Sequence, residues 1–254
     1  MDKTKKQLAE ELKDFLLKLG DSKNKESLRK QAYRLIDSIS PKDFETAERK
    51  LQETGVPLGK IHQLSASFIM MGLLERDKYD LRNHLPDYHV LRKVMAEHDM
   101  LRCFLADLED IGARIQQCTE LRGTSIEFMR LSHIVEHLNS LEEHICREDD
   151  VLFPVLKEQG WSSLFTQIQS EHSYILMAVK DLVKLVMAFN QIPFETFRTR
   201  LLSTIRYLCP LLREHLFHED RVLFPLAISS VRDNATWERL RHICNEIDYC
   251  GIHL

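Results

Sequence analysis

Glycine and proline are both scarce in this chain of 254 residues, which contains 8 glycines and 7 prolines. These two residues interrupt regular elements, and folds rich in β-turns use them often. No stretch of alternating apolar and polar residues is long enough to indicate a β-strand. The composition therefore predicts an all-α protein.

The chain also lacks an excess of basic residues and a long apolar run. Its 35 Lys and Arg face 39 Asp and Glu, giving a net charge of -4, which argues against a nucleic-acid-binding surface. The best apolar stretch, residues 67–74, is much shorter than the roughly 18 residues needed to cross a bilayer. The N-terminus is basic and then amphipathic, without the apolar core of a signal peptide. We expect no nucleic-acid partner and no membrane association.

Cysteine pairs at metal-site or redox spacing are missing as well. The six cysteines form neither a C-x-x-C motif nor a tight framework of the kind that disulfides stabilise. Free thiols in a reducing compartment are the simpler interpretation. The sequence therefore predicts a cytoplasmic protein.

Apolar residues at helical spacing predict four short helices, four long ones and a short last one. A polar stretch, residues 75–86, separates the short helices from the long ones. We therefore predict a small helical domain over residues 1–84, for which we hypothesise a regulatory role, and a larger domain over 85–254. Four long helices with short connections indicate an up-down-up-down four-helix bundle. The predicted helices are 5–19, 25–38, 41–54, 57–78, 88–117, 124–149, 162–188, 194–220 and 234–248.

One segment of the long-helix region occurs twice, 71 residues apart. Both copies start with His, have Glu-Asp at the fifth and sixth positions and end in Val-Leu-Phe-Pro, over residues 144–154 and 215–225. A Glu-His pair stands upstream of each copy, with its histidine at His98 and His172. Each half thus has one helix with a His, a loop, and a helix with His-x-x-x-Glu.

The spacing inside the repeat brings potential ligands together. Residues four apart lie on one face of a helix, so His144 can approach Glu148, and His215 can approach Glu219. With His98 and His172, the four helices supply four neutral imidazoles and two carboxylates. These ligand types suit two divalent ions, of iron, manganese or zinc, and each carboxylate can bridge both. A single His-x-x-x-Glu is usually an exposed polar pair, but the same pattern repeated in apolar helices predicts a dinuclear metal site.

At these residues the sequence resembles the hemerythrin-like family, also called HHE cation-binding domains. The doubled motif covers roughly residues 86–225. The resemblance implies a non-haem di-iron site with an oxo or hydroxo bridge, and with the two glutamates spanning both ions. The ligands that it implies are His98, His144, Glu148, His172, His215 and Glu219.

Two positions depart from the oxygen-carrying members of that family. Those proteins have a fifth His, four residues after the His of the third helix, and an Asp in place of the second Glu. Here Leu176 stands at the first of these positions and Glu219 at the second. The pattern is more similar to iron-centre repair proteins and iron-responsive domains, so simple oxygen carriage is not what it predicts.

The N-terminal region resembles a small helical domain of unknown function that precedes hemerythrin domains in some bacterial proteins. The match covers residues 5–80 and is carried by the run 47–57 with Ile61 and His62. The analogy implies a domain that transmits the state of the metal site, and a protein partner that contacts this domain is part of the hypothesis.

The resulting function hypothesis is a di-iron protein that binds or senses oxygen, nitric oxide, another small oxidant, or the iron and redox state. The alternative is an enzyme, either an iron-centre repair protein or a reductase of nitric oxide or peroxide. A metal store or a purely structural metal site is a third possibility. The sequence shows neither a flavin motif nor a thiolate relay for catalysis, and whether the protein is an enzyme stays open.

Several other side chains have two interpretations. His133 and His137 continue the stripe of His144, either as added ligands or proton relays or as the polar end of that stripe, which we favour. His89 is expected to be exposed or beside the ligands rather than a ligand. His218 is expected in solvent, and Cys146 as a free thiol without redox function. Tyr174 and Tyr207 either hydrogen-bond to the ligands or are simply packed.

Overall fold

The computed structural model describes residues 5–21, 25–36, 38–74, 81–159 and 161–247, and every regular element among them is helical. The described residues include no β-strand, which confirms the predicted all-α class. None of the described helices is long and apolar enough to cross a membrane. The chain divides into two compact units, and the predicted domain division at residue 84 stays a prediction.

The first unit contains four N-terminal helices close to the predicted positions. They are α1 (Lys5–Asp21), α2 (Lys25–Ile36), α3 (Pro41–Glu53) and α4 (Leu58–Leu74). Helix α3 begins as the sequence predicts: Ser40 donates its backbone N–H and its hydroxyl to the Asp43 carboxylate, and Pro41 follows at the first helical position. The final residues of the predicted fourth helix, 75–78, lie outside the described residues.

Aromatic rings form the centre of this unit. Phe68 contacts Phe15 and Phe44 with ring centroids 5.2 and 5.5 Å apart, and Phe44 contacts Trp161 at 5.0 Å. Each such pair adds to the stabilisation that burial of the rings provides. Helix α3 ends at Glu53, and two residues later Gly55 has a φ of 86°, which allows the Val56 N–H to donate to the Leu51 carbonyl.

The second unit contains most of the up-down-up-down bundle. After the short α5 (Leu81–His84), its helices are α6 (Val90–Gln117), α7 (Ile126–Asn139) with α8 (Leu141–Cys146), α10 (Ser162–Met187) and α11 (Phe194–His218). The helix α9 (Phe153–Glu158) lies between α8 and α10 in the chain. A 3-10 turn, Phe189–Gln191, precedes α11.

The bundle buries one apolar stripe from each of its helices. Leu105, Leu138, Leu182 and Leu208 are fully buried members of this core. Helices α6 and α11 approach closely at Gly112, where an added Cβ would lie 2.6 Å from the Ile205 Cδ1. The same two helices are joined at the surface by Arg213, which donates two hydrogen bonds of 2.7 Å to the Glu109 carboxylate.

Two π-helical turns interrupt the helices that carry the repeated motif. The first π-turn is Arg147–Leu152, between α8 and α9, and the second is Glu219–Leu223, between α11 and α12 (Phe224–Ser230). The predicted helices 124–149 and 194–220 end before Pro154 and Pro225, whereas in the structure each π-turn leads into a further helical segment that contains the proline. Proline lacks an N–H and its ring clashes with the carbonyl four residues earlier. The wider π-turn before each proline shifts the hydrogen-bond ladder, so each proline lies in the first turn of the helical segment that follows.

The last helix, α13 (Asn234–Glu246), belongs to the second unit and packs on α6 and the first π-turn. Its Asp233 cap accepts hydrogen bonds from the backbone N–H groups of Ala235 and Thr236. Its buried side chains are Trp237, Leu240 and Cys244.

Candidate metal centre

Four buried histidines face the interior of the bundle, one from each of its helices. His98 lies on α6, His144 on α8, His172 on α10 and His215 on α11. Each of these side chains is at most 2% exposed. Because imidazole nitrogens are polar, burying four of them in one core is costly unless each has a partner. The Nε2 atoms of His98 and His144 lie 3.2 Å apart, and the ring centroids of His172 and His215 lie 4.7 Å apart.

Glu148, in the first π-turn, places its carboxylate among these rings. Its oxygens lie 3.4 Å from the His172 Nε2, 3.6 Å from the His144 Nε2 and 4.0 Å from the His98 Nε2. Both oxygens are buried, and neither accepts a hydrogen bond from any residue that the structure describes. A fully buried carboxylate without donors costs several kcal/mol. A cation held between the carboxylate and the imidazole nitrogens would remove that cost, so the residues present fit a metal.

Glu219 follows His215 by one helical turn and starts the second π-turn. It completes two groups of side chains whose ligand atoms all lie within 4.8 Å of one another inside each group. All six residues predicted as ligands are therefore brought together and are buried, while the ligand assignment itself stays a prediction. The groups are His98, His144, Glu148 and Glu219, and Glu148, His172, His215 and Glu219.

The outer nitrogen of three of these imidazoles is held by a carboxylate. The Nδ1 of His144 lies 3.0 Å from Glu97, that of His215 lies 3.1 Å from Glu171, and that of His172 lies 2.9 Å from Asp149. Because a carboxylate accepts and does not donate, each Nδ1 must bear the proton. The Nε2 lone pair then points inward, which is the orientation and tautomer that a metal-binding imidazole needs.

Glu97 has a second partner, the fully buried Arg147. The Arg147 guanidinium donates to the Glu97 oxygen that His144 does not use. Burial alone would raise the pKa of Glu97, but the hydrogen bonds and charges of His144 and Arg147 outweigh it, and the net shift is downward. Glu97 is therefore an anion that orients His144.

The sequence did not predict that Glu97, Glu171, Asp149 and Arg147 would contact the site. A signal for the first two was present, since Glu97 directly precedes His98 and Glu171 directly precedes His172, at equivalent places in the two halves. Asp149 also recurs, as Asp220. Arg147 has no such signal, because His218 stands at the equivalent position of the second copy.

The other histidines singled out in the sequence do not belong to either group of ligands. His133 is exposed, and His137 stacks on Phe104 with centroids 4.6 Å apart, as expected for the polar end of the stripe. His89 is the N-cap of α6, where its Nδ1 accepts from the Leu91 N–H, and its ring contacts Trp237. Burial lowers the pKa of His89, which agrees with that acceptor function.

The remaining candidates lie away from the ligands or are merely packed. Tyr174 and Tyr207 are 56% and 54% exposed, so neither is packed in the core nor hydrogen-bonded to the buried ligands. His218 is half-buried rather than exposed, and Cys146 is a half-buried free thiol. Leu176, at the position of the fifth histidine, packs against the bundle core.

Comparison with known protein families gives two matches. A family model described as the hemerythrin HHE cation binding domain matches residues 89–248, more than half of the chain. A second model, described as a family of unknown function, DUF438, matches residues 12–66. No curated protein matches the chain closely enough to count as a relative. Both matches fall where the sequence resemblances predicted them.

Proposed function

The chain belongs to the family of hemerythrin HHE cation-binding domains, and from this membership we propose that it is a non-haem di-iron protein. In this proposal the metal centre binds or senses oxygen, nitric oxide or the iron and redox state of the cell. The residues that would hold the two ions are His98, His144, Glu148, His172, His215 and Glu219.

The observation that carries the proposal is the environment of Glu148. Its two buried oxygens have no hydrogen-bond donor, while three imidazole Nε2 atoms lie within 4.0 Å of them. Neutral imidazoles and carboxylates are ligands for iron, manganese and zinc, so ligand type alone leaves the metal open. We propose iron because it would supply one-electron chemistry together with reversible binding of a diatomic ligand or oxidant.

The replacement of a fifth histidine by Leu176 supports a site with an open position. A leucine cannot coordinate a metal, so the four imidazoles and two carboxylates are the ligands that the bundle offers. Two ions held by these six side chains would have few protein ligands each, so a coordination position would stay open for a small ligand.

The thiols and the N-terminal helices support two further parts of the proposal. The five cysteines that the structure describes are all free, which favours a reducing compartment such as the cytoplasm. The region matched by DUF438 is proposed as a regulatory domain that contacts a protein partner when the state of the metal centre changes.

Metal analysis with visible spectroscopy tests the proposal. The protein is expressed with iron, analysed for metal content, reduced without oxygen and then exposed to oxygen or nitric oxide. Two irons per chain with reversible spectral changes would support binding, whereas turnover of nitric oxide or peroxide would support the reductase alternative. Two irons with no response would indicate storage or a structural site, and no iron would contradict the proposal.

Two histidine variants make the test specific to the assigned ligands. We expect His144→Ala to lose metal and much of the thermal stability, because the other buried polar groups lose their compensation. The matched control, His133→Ala, removes an exposed histidine of the same region and is expected to keep two ions. A His144→Ala protein that still binds two ions would refute the ligand assignment.

A further inference from the structure

Helix α7 carries two histidines that lie outside both groups of potential ligands. His133 is exposed and His137 is half-buried. They are four residues apart, so both side chains project from one face of the helix. No other two of the twelve histidines in the chain have this spacing. The ring centroids of the pair lie 4.4 Å apart, and the ring planes are at 88°.

The two rings have nearly the geometry of the inner histidine pairs. The centroids of His98 and His144 are 5.0 Å apart with the planes at 62°, and those of His172 and His215 are 4.7 Å apart at 74°. In the proposed dinuclear centre each inner pair belongs to one group of ligands. Imidazoles at this separation and angle can each direct one nitrogen towards a common point.

The nitrogens of the surface pair are available to a metal. Neither imidazole forms a hydrogen bond or an ion pair with any residue that the structure describes. His137 stacks on Phe104 of α6, with centroids 4.6 Å apart and planes at 12°. Stacking occupies the face of the ring and leaves the nitrogens at its edge free. It also restricts rotation of the ring, so less side-chain entropy is lost when a metal binds.

The charges beside the pair are compatible with a bound cation. Arg130, one turn earlier on α7, forms an ion pair of 3.8 Å with Asp110 of α6. Glu136 lies between the two histidines in the sequence and is exposed. The positive charge of the arginine is therefore compensated, and the helix carries a negative charge within the His-x-x-x-His segment itself.

The surface pair is separate from the dinuclear centre. His137 precedes His144 by seven residues, roughly two helical turns or about 10 Å. Because bonds between zinc and imidazole nitrogen are about 2 Å long, one ion cannot reach both. Among the described residues, no carboxylate or thiol completes a group of three with the pair. Water would therefore fill the other coordination positions of an ion held there.

We propose that His133 and His137 bind one divalent transition-metal ion, of the zinc, nickel and copper class, at the surface of α7. Imidazole suits these ions, whereas magnesium and calcium require oxygen ligands. Iron(II) is held more weakly than nickel or copper by such ligands, so the count of irons expected for the dinuclear centre is unchanged. The inference goes beyond the proposed function, since none of the six potential ligands of the centre takes part.

Zinc binding to the untagged full-length protein tests the inference. The wild type and His133→Ala are dialysed against the same series of Zn(II) concentrations, and bound zinc per chain is counted by elemental analysis. We expect the variant to bind one ion fewer. The Kd for that ion should rise at least about tenfold, because even the loss of a hydrogen bond to a ligand costs about 10–100-fold in affinity. Equal binding by the two proteins would overturn the inference.

The difference between the two proteins is independent of the dinuclear centre. Three ions on the wild type and two on the variant would support both proposals. One ion and none would support the surface site and contradict the dinuclear centre. Two ions on each protein would support the dinuclear centre and overturn the surface site.

Two further variants show whether the extra ion is specific. His137→Ala should lose the same ion, and the double variant with His133→Ala should lose only that one. The matched control is His242→Ala, which removes an exposed histidine of α13. It should bind as much zinc as the wild type. Loss of an ion from His242→Ala as well would show nonspecific binding to surface histidines and would overturn the inference.

Nuclear magnetic resonance of the histidine rings locates the ion. Zn(II) should shift the ring signals of His133 and His137, which the alanine variants identify, and leave that of His242 in place. The same concentration of Mg(II) should shift none of them. Ring signals of His133 and His137 that do not respond to zinc would contradict the proposed ligands, whatever the number of bound ions.

Discussion

Replacing Glu148 by Gln should change the stability of the protein in opposite directions with and without metal. Without metal, the wild-type protein buries a carboxylate that accepts no hydrogen bond from the described residues. A Gln amide is neutral and can donate to the Nε2 of His144 or His172, which lie 3.6 and 3.4 Å from the present oxygens. Removing the uncompensated charge should stabilise the metal-free protein by about 1–3 kcal/mol.

With metal, the same change would remove a carboxylate that belongs to both groups of potential ligands. A ligand that binds only the folded state stabilises it by about 4 kcal/mol when present at a thousand times its Kd. For a domain of this size, about 4 kcal/mol corresponds to an increase in Tm of roughly 8–16 °C for each occupied site. Glu148→Gln should lose most of that increase, so it should be less stable than the wild type once metal is added.

Thermal unfolding tests both predictions. The Tm of the wild type and of the variant is measured once with chelator and once with added metal, and the change in Tm should be positive without metal and negative with it. The control is Glu143→Gln, the same substitution at an exposed carboxylate of α8, which should change neither state. If Glu148→Gln destabilises the metal-free protein as much as the loaded one, Glu148 is a packing residue and the argument for a metal fails.

Three further changes test the packing and the surface. Gly112→Ala should destabilise the bundle by about 1 kcal/mol, since the new methyl meets Ile205, and calorimetry of the double variant with Ile205→Val should show less loss than the two single losses added. Arg213→Gln should cost about 0.5 kcal/mol at neutral pH in urea unfolding. The hydrogen bond from Arg213 lowers the pKa of Glu109, so the contribution of the pair is fully present above the ordinary Glu pKa of 4.5 and is lost as the pH falls through the lowered pKa. A difference between wild type and variant that persists in strong acid would contradict this. Gly55→Ala should cost about 1 kcal/mol because of the positive φ, and Gly55→Asn should cost less, as melting curves would show.

The sequence predicts the class and most helices because the chain is locally consistent. Ser40 and Pro41 start α3 where capping chemistry requires, and Gly55 lies just after its end. The repeat is equally informative for the ligands, because residues four apart must share a helix face. Helix caps and contacts between residues four apart involve residues that are close in sequence, so the sequence alone predicts them.

Other features depend on contacts that the sequence does not reveal. Arg147 is an unremarkable charged residue until the fold buries it against Glu97, 50 residues away. Tyr174 and Tyr207 lie on the same helices as His172 and His215, but both tyrosine side chains are exposed to solvent. The π-turns were missed because a proline normally ends a helix, and no local rule indicates where a helix widens instead.

The π-turns also change how the apolar pattern of this chain must be followed. A π-turn contains one residue more than an α-turn, so every side chain after it is rotated by about 100° relative to an uninterrupted helix. After the first π-turn the buried residues are Phe153 and Leu156, and after the second they are Phe224 and Ala227. The extra residue thus acts as a phase shift in the helical repeat. Deleting one residue between Glu148 and Phe153 would keep His144 and Glu148 in register but turn the following apolar face away from its core.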